Sequence, residues 1–205
     1  MELRSGRTGC LQWAVAFVAA PGEQSCGDGW LVRADEATTF VAVVDGLGHG
    51  DSARAAADRA LASIDRAPGG PADKVKAAHE TLLRLRGAAV GVMAVRPDTG
   101  AVRWCGVGNV EAAVEDTREA PRRWRRLFLQ SGLVGHRLPV LREASSHVDA
   151  GGLIVVSTDG VRAEFLDDLG ATGDLNALTE RIVSGHRRDA DDALVFVGRF
   201  EGGVR

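Results

Sequence analysis

Acidic residues at the borders between apolar runs and loops are the side chains of this sequence best suited to chemistry. Each stands where a glycine or a loop meets a predicted strand: Asp28, Asp45, Asp159 and the pair Asp191/Asp192. Carboxylates that converge on one place repel one another and resist ionising together unless cations neutralise them. We therefore expect one or two divalent ions, and ligation by oxygen alone favours Mg²⁺ or Mn²⁺ over Zn²⁺.

Asp45 lies at the centre of the stretch from Val41 to Gly50, which reads V-A-V-V-D-G-L-G-H-G. A short apolar run bounded by glycines predicts a buried strand, and the residues from Asp51 onward have the pattern of a helix. Glycines at 46, 48 and 50 allow backbone oxygens to approach a ligand closely. Taken alone, the stretch suits a metal site and a plain strand-turn-helix with an N-capping acid equally well.

Neighbouring elements predict how two of the acids meet. A buried strand over 11–19 is followed by a loop that delivers Asp28 just before a second strand, 30–33. A short turn then leads into the strand that ends at Asp45. Because a strand, a short turn and a strand form an antiparallel pair, Asp28 and Asp45 should lie at the same edge of one sheet.

The rest of the chain repeats this arrangement. The strand 153–156 runs into S-T-D-G, which contains Asp159, and the Asp191/Asp192 pair opens a final strand, 193–200. Further elements are predicted from apolar periodicity and turn residues: helices over 51–64, 75–86 and 174–184, a hairpin of 90–95 and 101–107, and strands over 110–114 and 127–129. Many antiparallel strands with helices inserted between them indicate an α+β sandwich whose sheets are covered by helices.

Composition excludes several classes of function. The 205 residues suit a single domain spanning 1–205, and a net charge of −3 with both signs mixed favours neither nucleic acid nor an anionic membrane as a partner. Three widely spaced cysteines indicate reduced thiols and a cytoplasmic protein. The N-terminal apolar run 13–20 is too short to span a bilayer, and we expect no export.

The ordered motifs G-D-G-W, V-V-D-G-L-G-H-G, G-V-G-N-V, S-T-D-G-V and D-D-A resemble those of the metal-dependent protein phosphatases of the 2C (PPM) superfamily. Within its bacterial sporulation-phosphatase branch, the chain is most similar to the RsbX-like phosphatases. The resemblance covers nearly the whole chain and is weakest over 115–149. It implies a four-layer α-β-β-α sandwich of two mainly antiparallel sheets flanked by helices.

The resemblance also implies roles for the acids. Asp45 would bridge two metal ions, with the carbonyl of Gly46 and the carboxylate of Asp28 on one of them and Asp159 on the other. The fourth ligand is either Asp191 or Asp192, and the motif aligns best with the first. Asp45 and Asp159 would be the catalytic acids, holding a metal-bridging hydroxide that attacks a phosphoserine or phosphothreonine ester without a phosphoenzyme.

Two features depart from the family pattern. Eukaryotic members carry a histidine two residues after the bridging aspartate, where this chain has Leu47, and His49 follows two positions later. His49 is a possible general acid only if its loop turns inward, and a solvated loop histidine is the simpler interpretation. The phosphate-binding arginine of the eukaryotic members has no match, so phosphate affinity would rest on the metals.

The implied function is dephosphorylation of bacterial signalling proteins, namely STAS-domain stressosome or anti-sigma-antagonist proteins, by a monomer. Two alternative functions are compatible with parts of the sequence. D-G-L-G-H-G also resembles a nucleotide loop of GHKL-type anti-sigma kinases, although Asn109 and Asn176 both lie downstream of it. A catalytically silent binding module of the same fold is the other alternative, and the intact set of acids argues against it.

Three further features have plain structural interpretations. The arginines around Trp124 (Arg122, Arg123, Arg125 and Arg126) suit a half-exposed strand with solvated side chains. Cys26 has no histidine base nearby and is interpreted as a structural thiol. Asn109 is expected to shape the bend in G-V-G-N-V and is assigned no catalytic role.

Overall fold

The computed structural model describes residues 1–117, 123–167, 169 and 173–202. The strands are β1 (Glu2–Thr8), β2 (Leu11–Val18), β3 (Asp28–Ala34), β4 (Thr39–Gly46), β5 (Ala88–Val95), β6 (Ala101–Val107), β7 (Glu111–Asp116), β8 (Arg123–Arg126), β9 (Leu129–Gln130), β10 (Ala144–His147), β11 (Leu153–Ser157) and β12 (Ala193–Phe200). The helices are α1 (Gly50–Arg66), α2 (Pro71–Leu82) and α3 (Leu175–His186), with a 3₁₀ turn over Ala163–Leu166.

These strands form two sheets. The first has the order β1-β2-β12-β11-β7-β8, and the second has the order β10-β6-β5-β4-β3 with β9 beside β6. Pairing is antiparallel except between β6 and β9. The central strands are apolar along their length, as in β5, whose residues are all buried, because both of their faces are covered.

Three apolar clusters define four layers. The largest lies between the sheets and contains Trp104, Phe196 and Ile154. A second joins α3 to the outer face of the first sheet, and a third joins α1 and α2 to the outer face of the second sheet. Alanines on α1 let that helix approach the sheet closely. The predicted α-β-β-α sandwich is therefore confirmed.

The second helix differs from its prediction at both ends. It begins at Pro71, because proline suits the first turn of a helix and the Gly70 N–H donates to Asp73 Oδ2 at 2.9 Å. It ends at Leu82 rather than near residue 86. Arg84 adopts φ 66° and the Leu85 N–H donates to the Leu82 carbonyl, which reverses the chain. Residues 83–87 consequently form a loop before β5.

Sequence patterns did not predict two edge strands, β1 and β10. In the region after residue 115, residues 118–122 lie outside the described part of the chain. The expected half-exposed arginine strand is confirmed as β8, where Arg125 and Arg126 pair with Asp116 and Glu111. Arg122 lies outside the described residues. In the part of the chain that the structure describes, no helix is both long enough and apolar enough to cross a membrane.

Candidate metal centre

The pairing of β3 with β4 brings the first two acids together. Asp28 is the direct cross-strand partner of Asp45, so both carboxylates lie at one edge of the second sheet, as predicted. The chain then passes through Gly46, whose N–H donates to the Gly27 carbonyl at 3.2 Å. A side chain at Gly46 would collide with the backbone of Ala53 on α1, so only glycine lets the helix pack here.

The other acids come from the first sheet. Asp159 follows β11 and Asp191 precedes β12, and these two strands are antiparallel neighbours. Gly160 lies directly against the backbone of Asp192, since a Cβ at Gly160 would lie 2.9 Å from Ala193 Cα and closer still to Asp192. This close approach places the loops that carry Asp159 and Asp191 side by side.

A cavity of about 470 Å³ opens between these two groups of loops. Asp45, Asp159 and Asp191 line it together with Asn109, and Leu47, Gly48 and residues 131–133 complete its wall. Among the described residues that line the cavity, every charged side chain is a carboxylate. The loop 131–133 lies in the region where the family resemblance is weakest, so sequence motifs did not predict its place at the site.

Asp28 and Asp192 lie outside the lining of this cavity and are almost fully buried. The hydroxyl of Thr158 donates to Asp28 Oδ2 at 2.7 Å. Both carboxylate oxygens of Asp192 accept backbone N–H groups, from Ala20 at 2.8 Å and from Gly27 at 2.9 Å. Asp192 therefore holds the loop before β3 in place by hydrogen bonds, whereas Asp191 lines the cavity.

Burial makes these carboxylates hard to ionise together. It raises the pKa of Asp45 to about 7, where the Asn109 hydrogen bond opposes the rise and the charges of Asp159 and Asp191 add to it. Burial and the charge of Asp45 raise the pKa of Asp28 well above its usual range. The pKa of Asp191 is raised by burial and by its acidic neighbours. A bound cation would relieve this repulsion.

Asn109, assigned only to the bend, contacts the central acid. Its Nδ2 donates to Asp45 Oδ2 at 2.9 Å, and its Oδ1 is buried without a hydrogen-bond partner in the described structure. The amide therefore orients one oxygen of Asp45, and Asn109 itself is part of the cavity lining. One sequence feature could have predicted this role. Like the acids, Asn109 stands beside a glycine at the end of an apolar strand.

Asn109→Ala should lower the metal-dependent hydrolysis that the family resemblance implies about 10- to 100-fold, because Asp45 loses its orienting donor and its carboxylate becomes still harder to ionise. The measurement is hydrolysis rate against Mn²⁺ concentration, with apparent Mn²⁺ affinity reported separately. Asn176→Ala on α3 is the matched control and should behave as wild type. Equal Mn²⁺ curves for the two variants would show that Asn109 does not support Asp45.

The two positions that depart from the family pattern differ in their exposure to the cavity. Leu47 lines it and is half exposed. His49 stands at the N-terminal end of α1, where its Nδ1 lies 2.6 Å from Glu23 Oε1. The His49 side chain is 61% exposed and is not part of the cavity wall.

The acids fit a hard divalent cation by their chemistry. As the described side chains stand, no three carboxylate, imidazole or thiol groups are close enough to form a ready-made cage. Asp45, Asp159 and Asp191 nevertheless line one cavity, and Asn109 adds a buried amide oxygen without a partner among the described residues. An all-oxygen donor set of this kind suits Mg²⁺ or Mn²⁺.

Known structures define the class of this fold. No protein-family model and no curated protein matches the chain. Solved structures do match, and they include a PP2C phosphatase domain and a PPM Ser-Thr phosphatase. RsbX in complex with magnesium has a TM-score of 0.81 at 17% identity, covering 97% of this chain and 99% of RsbX. The PPM Ser-Thr phosphatase MsPP from Mycobacterium smegmatis, in complex with cacodylate, has a TM-score of 0.69 at 17% identity, covering 94% and 99%.

A further similar structure is described under the bacterial stressosome, as a modular system that has been adapted to control secondary messenger signaling. It is 26% identical, with a TM-score of 0.80, and the match covers 97% of this chain and all of that one. The chain thus has the PPM phosphatase fold, and the resemblance predicted from its motifs, including that to RsbX, is confirmed at the level of the fold.

Proposed function

We propose that the protein is a metal-dependent serine/threonine protein phosphatase. The observation that carries this proposal is the cavity in which Asp45 of one sheet meets Asp159 and Asp191 of the other. These acids come from three separate segments, and a PPM fold brings them to one wall. Structural neighbours that are PPM Ser-Thr phosphatases support the same reaction class.

In this proposal Asp45 would help to hold both ions, Asp28 and the Gly46 carbonyl would hold one of them, and Asp159 and Asp191 would hold the other. We choose Asp191 over Asp192 because both oxygens of Asp192 already accept backbone N–H groups. Two bound Mn²⁺ or Mg²⁺ ions would supply a water of lowered pKa and positive charge for the phosphoryl group. The magnesium bound to RsbX supports this choice of cation.

The chain's own residues position the reaction. Asn109 holds one oxygen of Asp45, and Asp192 fixes the loop that leads to Asp28. The cavity is large enough to admit a phosphorylated side chain. We assign no proton transfer to His49, because it pairs with Glu23 outside the cavity wall.

For the substrate we propose a phosphorylated STAS-domain protein of a stressosome or an anti-sigma-antagonist system. The neighbour described with the bacterial stressosome supports this choice, as does a match to the RsbU and RsbW domains of Rv1364c from Mycobacterium tuberculosis. We further propose that the enzyme acts as a monomer in the cytoplasm. The three buried cysteines, all unpaired, are consistent with a reducing compartment.

Hydrolysis by the purified protein tests this function. A chromogenic phosphate monoester and a phosphoserine STAS-domain protein are each incubated with Mn²⁺, with Mg²⁺ and with a chelator. We expect turnover of both substrates with either metal and none with the chelator. Absence of turnover on both substrates with both metals would contradict the proposal and favour a silent binding module.

A further inference from the structure

We infer that Arg86 binds the phosphate group of the substrate at the mouth of the cavity. This inference rests on the proposed function and adds to it a residue that no motif indicates. Arg86 lies in the loop between α2 and β5, about 40 positions along the chain from the loop that it contacts.

The guanidinium is hydrogen-bonded to a loop that forms part of the cavity wall. Arg86 Nη1 donates to the Leu47 carbonyl at 2.8 Å, and the neighbouring Gly87 carbonyl accepts the Leu47 N–H at 2.9 Å. These two hydrogen bonds join the loop 83–87 to residues 47 and 48. Leu47 and Gly48 both line the cavity, so the arginine stands one residue away from it.

Gly48 makes this close approach possible. A Cβ at Gly48 would lie 2.7 Å from Arg86 Nη1, and its φ of 83° is one that side chains rarely adopt. The left-handed turn at Arg84 in turn directs the chain back from α2 toward this loop. Two unusual backbone conformations thus bring the guanidinium against residues 47 and 48, which line the cavity.

The positive charge of the Arg86 guanidinium suits an anionic ligand. Within the described wall of the cavity every charged side chain is acidic and offsets the charge of the proposed metal ions, so a cationic side chain beside the wall would add to the attraction for a phosphate dianion. Arg187, which also lies near the site, donates its Nη2 to the Ala19 and Asp191 carbonyls. Among the described residues, Arg86 has one hydrogen-bond acceptor, the Leu47 carbonyl, which binds Nη1. Its other guanidinium N–H groups are therefore available to phosphate oxygens.

Equilibrium binding of inorganic phosphate to the Mg²⁺-loaded protein tests the inference without requiring turnover. The variant is Arg86→Gln, which removes the charge and shortens the side chain, and Arg86→Lys keeps the charge without the planar guanidinium. We expect the Kd of Arg86→Gln for phosphate to rise about tenfold, and Arg86→Lys to fall between it and wild type. The matched control is Arg59→Gln on the exposed face of α1, which should leave the Kd unchanged.

Kinetics on the phosphoserine protein give a second readout. KM should rise about tenfold in Arg86→Gln while kcat stays within about twofold of wild type, and Mg²⁺ should raise the melting temperature of both proteins equally. If Arg86→Gln binds phosphate as tightly as Arg59→Gln does, the inference is overturned even when wild type is active. A wild type without turnover would instead contradict the proposed function, and the phosphate titration would still decide the role of Arg86.

Discussion

Replacing Asp45 with asparagine should stabilise the metal-free protein at pH 8 while abolishing the proposed metal-dependent phosphatase activity. Burial and acidic neighbours raise the pKa of Asp45 to about 7 in the folded protein, against an ordinary value near 3.9. The folded state therefore binds the proton more tightly than the unfolded state does. Stability from this group is complete below about pH 4 and is lost as the pH rises through about 7.

Asparagine keeps the shape of the side chain and removes the buried charge. The free energy of unfolding of the metal-free variant should exceed that of wild type by on the order of 4 kcal/mol at pH 8, and the difference should close toward pH 4. Urea unfolding of metal-free protein at several pH values measures this. Mn²⁺ should raise the melting temperature of wild type and leave that of the variant unchanged.

Asp98→Asn is the matched control for this prediction. Asp98 is exposed on a hairpin turn, and its hydrogen bond from Arg96 lowers its pKa to about 2, the opposite direction. Its replacement should give no stabilisation at pH 8. If Asp45→Asn proves no more stable than wild type there, the acids do not repel one another as their burial implies.

Gly160→Ala should destabilise the protein and separate the two acids of the first sheet. A Cβ at Gly160 would meet the carbonyl oxygen of Asp192, with Asp192 C at 2.8 Å and Ala193 Cα at 2.9 Å. These are backbone atoms, so the conflict cannot be relieved by rotating a side chain. Separation of the β11 and β12 ends would move Asp159 away from Asp191.

We expect a loss of about 3 kcal/mol in the free energy of unfolding, typical of severe overpacking. Hydrolysis should fall more than about 100-fold, because metal ligands displaced by about 1 Å lose their geometry. Urea unfolding and the shift of melting temperature with Mn²⁺ separate the two effects. If Gly160→Ala unfolds with the same free energy as wild type and Mn²⁺ raises its melting temperature as much, this account of Gly160 is refuted.

Gly185→Ala provides the control. Gly185 lies in α3, and an added Cβ there meets no heavy atom within 4 Å. Alanine is the better helix former, so this variant should gain up to about 1 kcal/mol in stability and retain full activity. The same substitution thus has opposite expected effects at the two glycines.

Local patterns in the sequence were sufficient to predict much of this protein. Apolar runs that end at Asp45 and Asp159 predicted buried strands with acids at their ends, because the length and apolar character of such a run can be read from neighbouring residues alone. The antiparallel pair that joins Asp28 to Asp45 followed from one short turn, and the motif order predicted the PPM fold. The end of α2 was predicted wrongly, since apolar periodicity continues past Leu82 while the backbone turns at Arg84.

Only the tertiary structure decided which side chains face the cavity. Asp191 and Asp192 are adjacent and chemically identical, and they differ because Asp192 meets backbone N–H groups 165 and 172 residues away. Asn109 contacts Asp45 across 64 residues, and Arg86 contacts the Leu47 carbonyl across 39. Contacts between residues so far apart in the chain cannot be predicted from local sequence patterns, because each contact depends on how two sheets and their loops pack together.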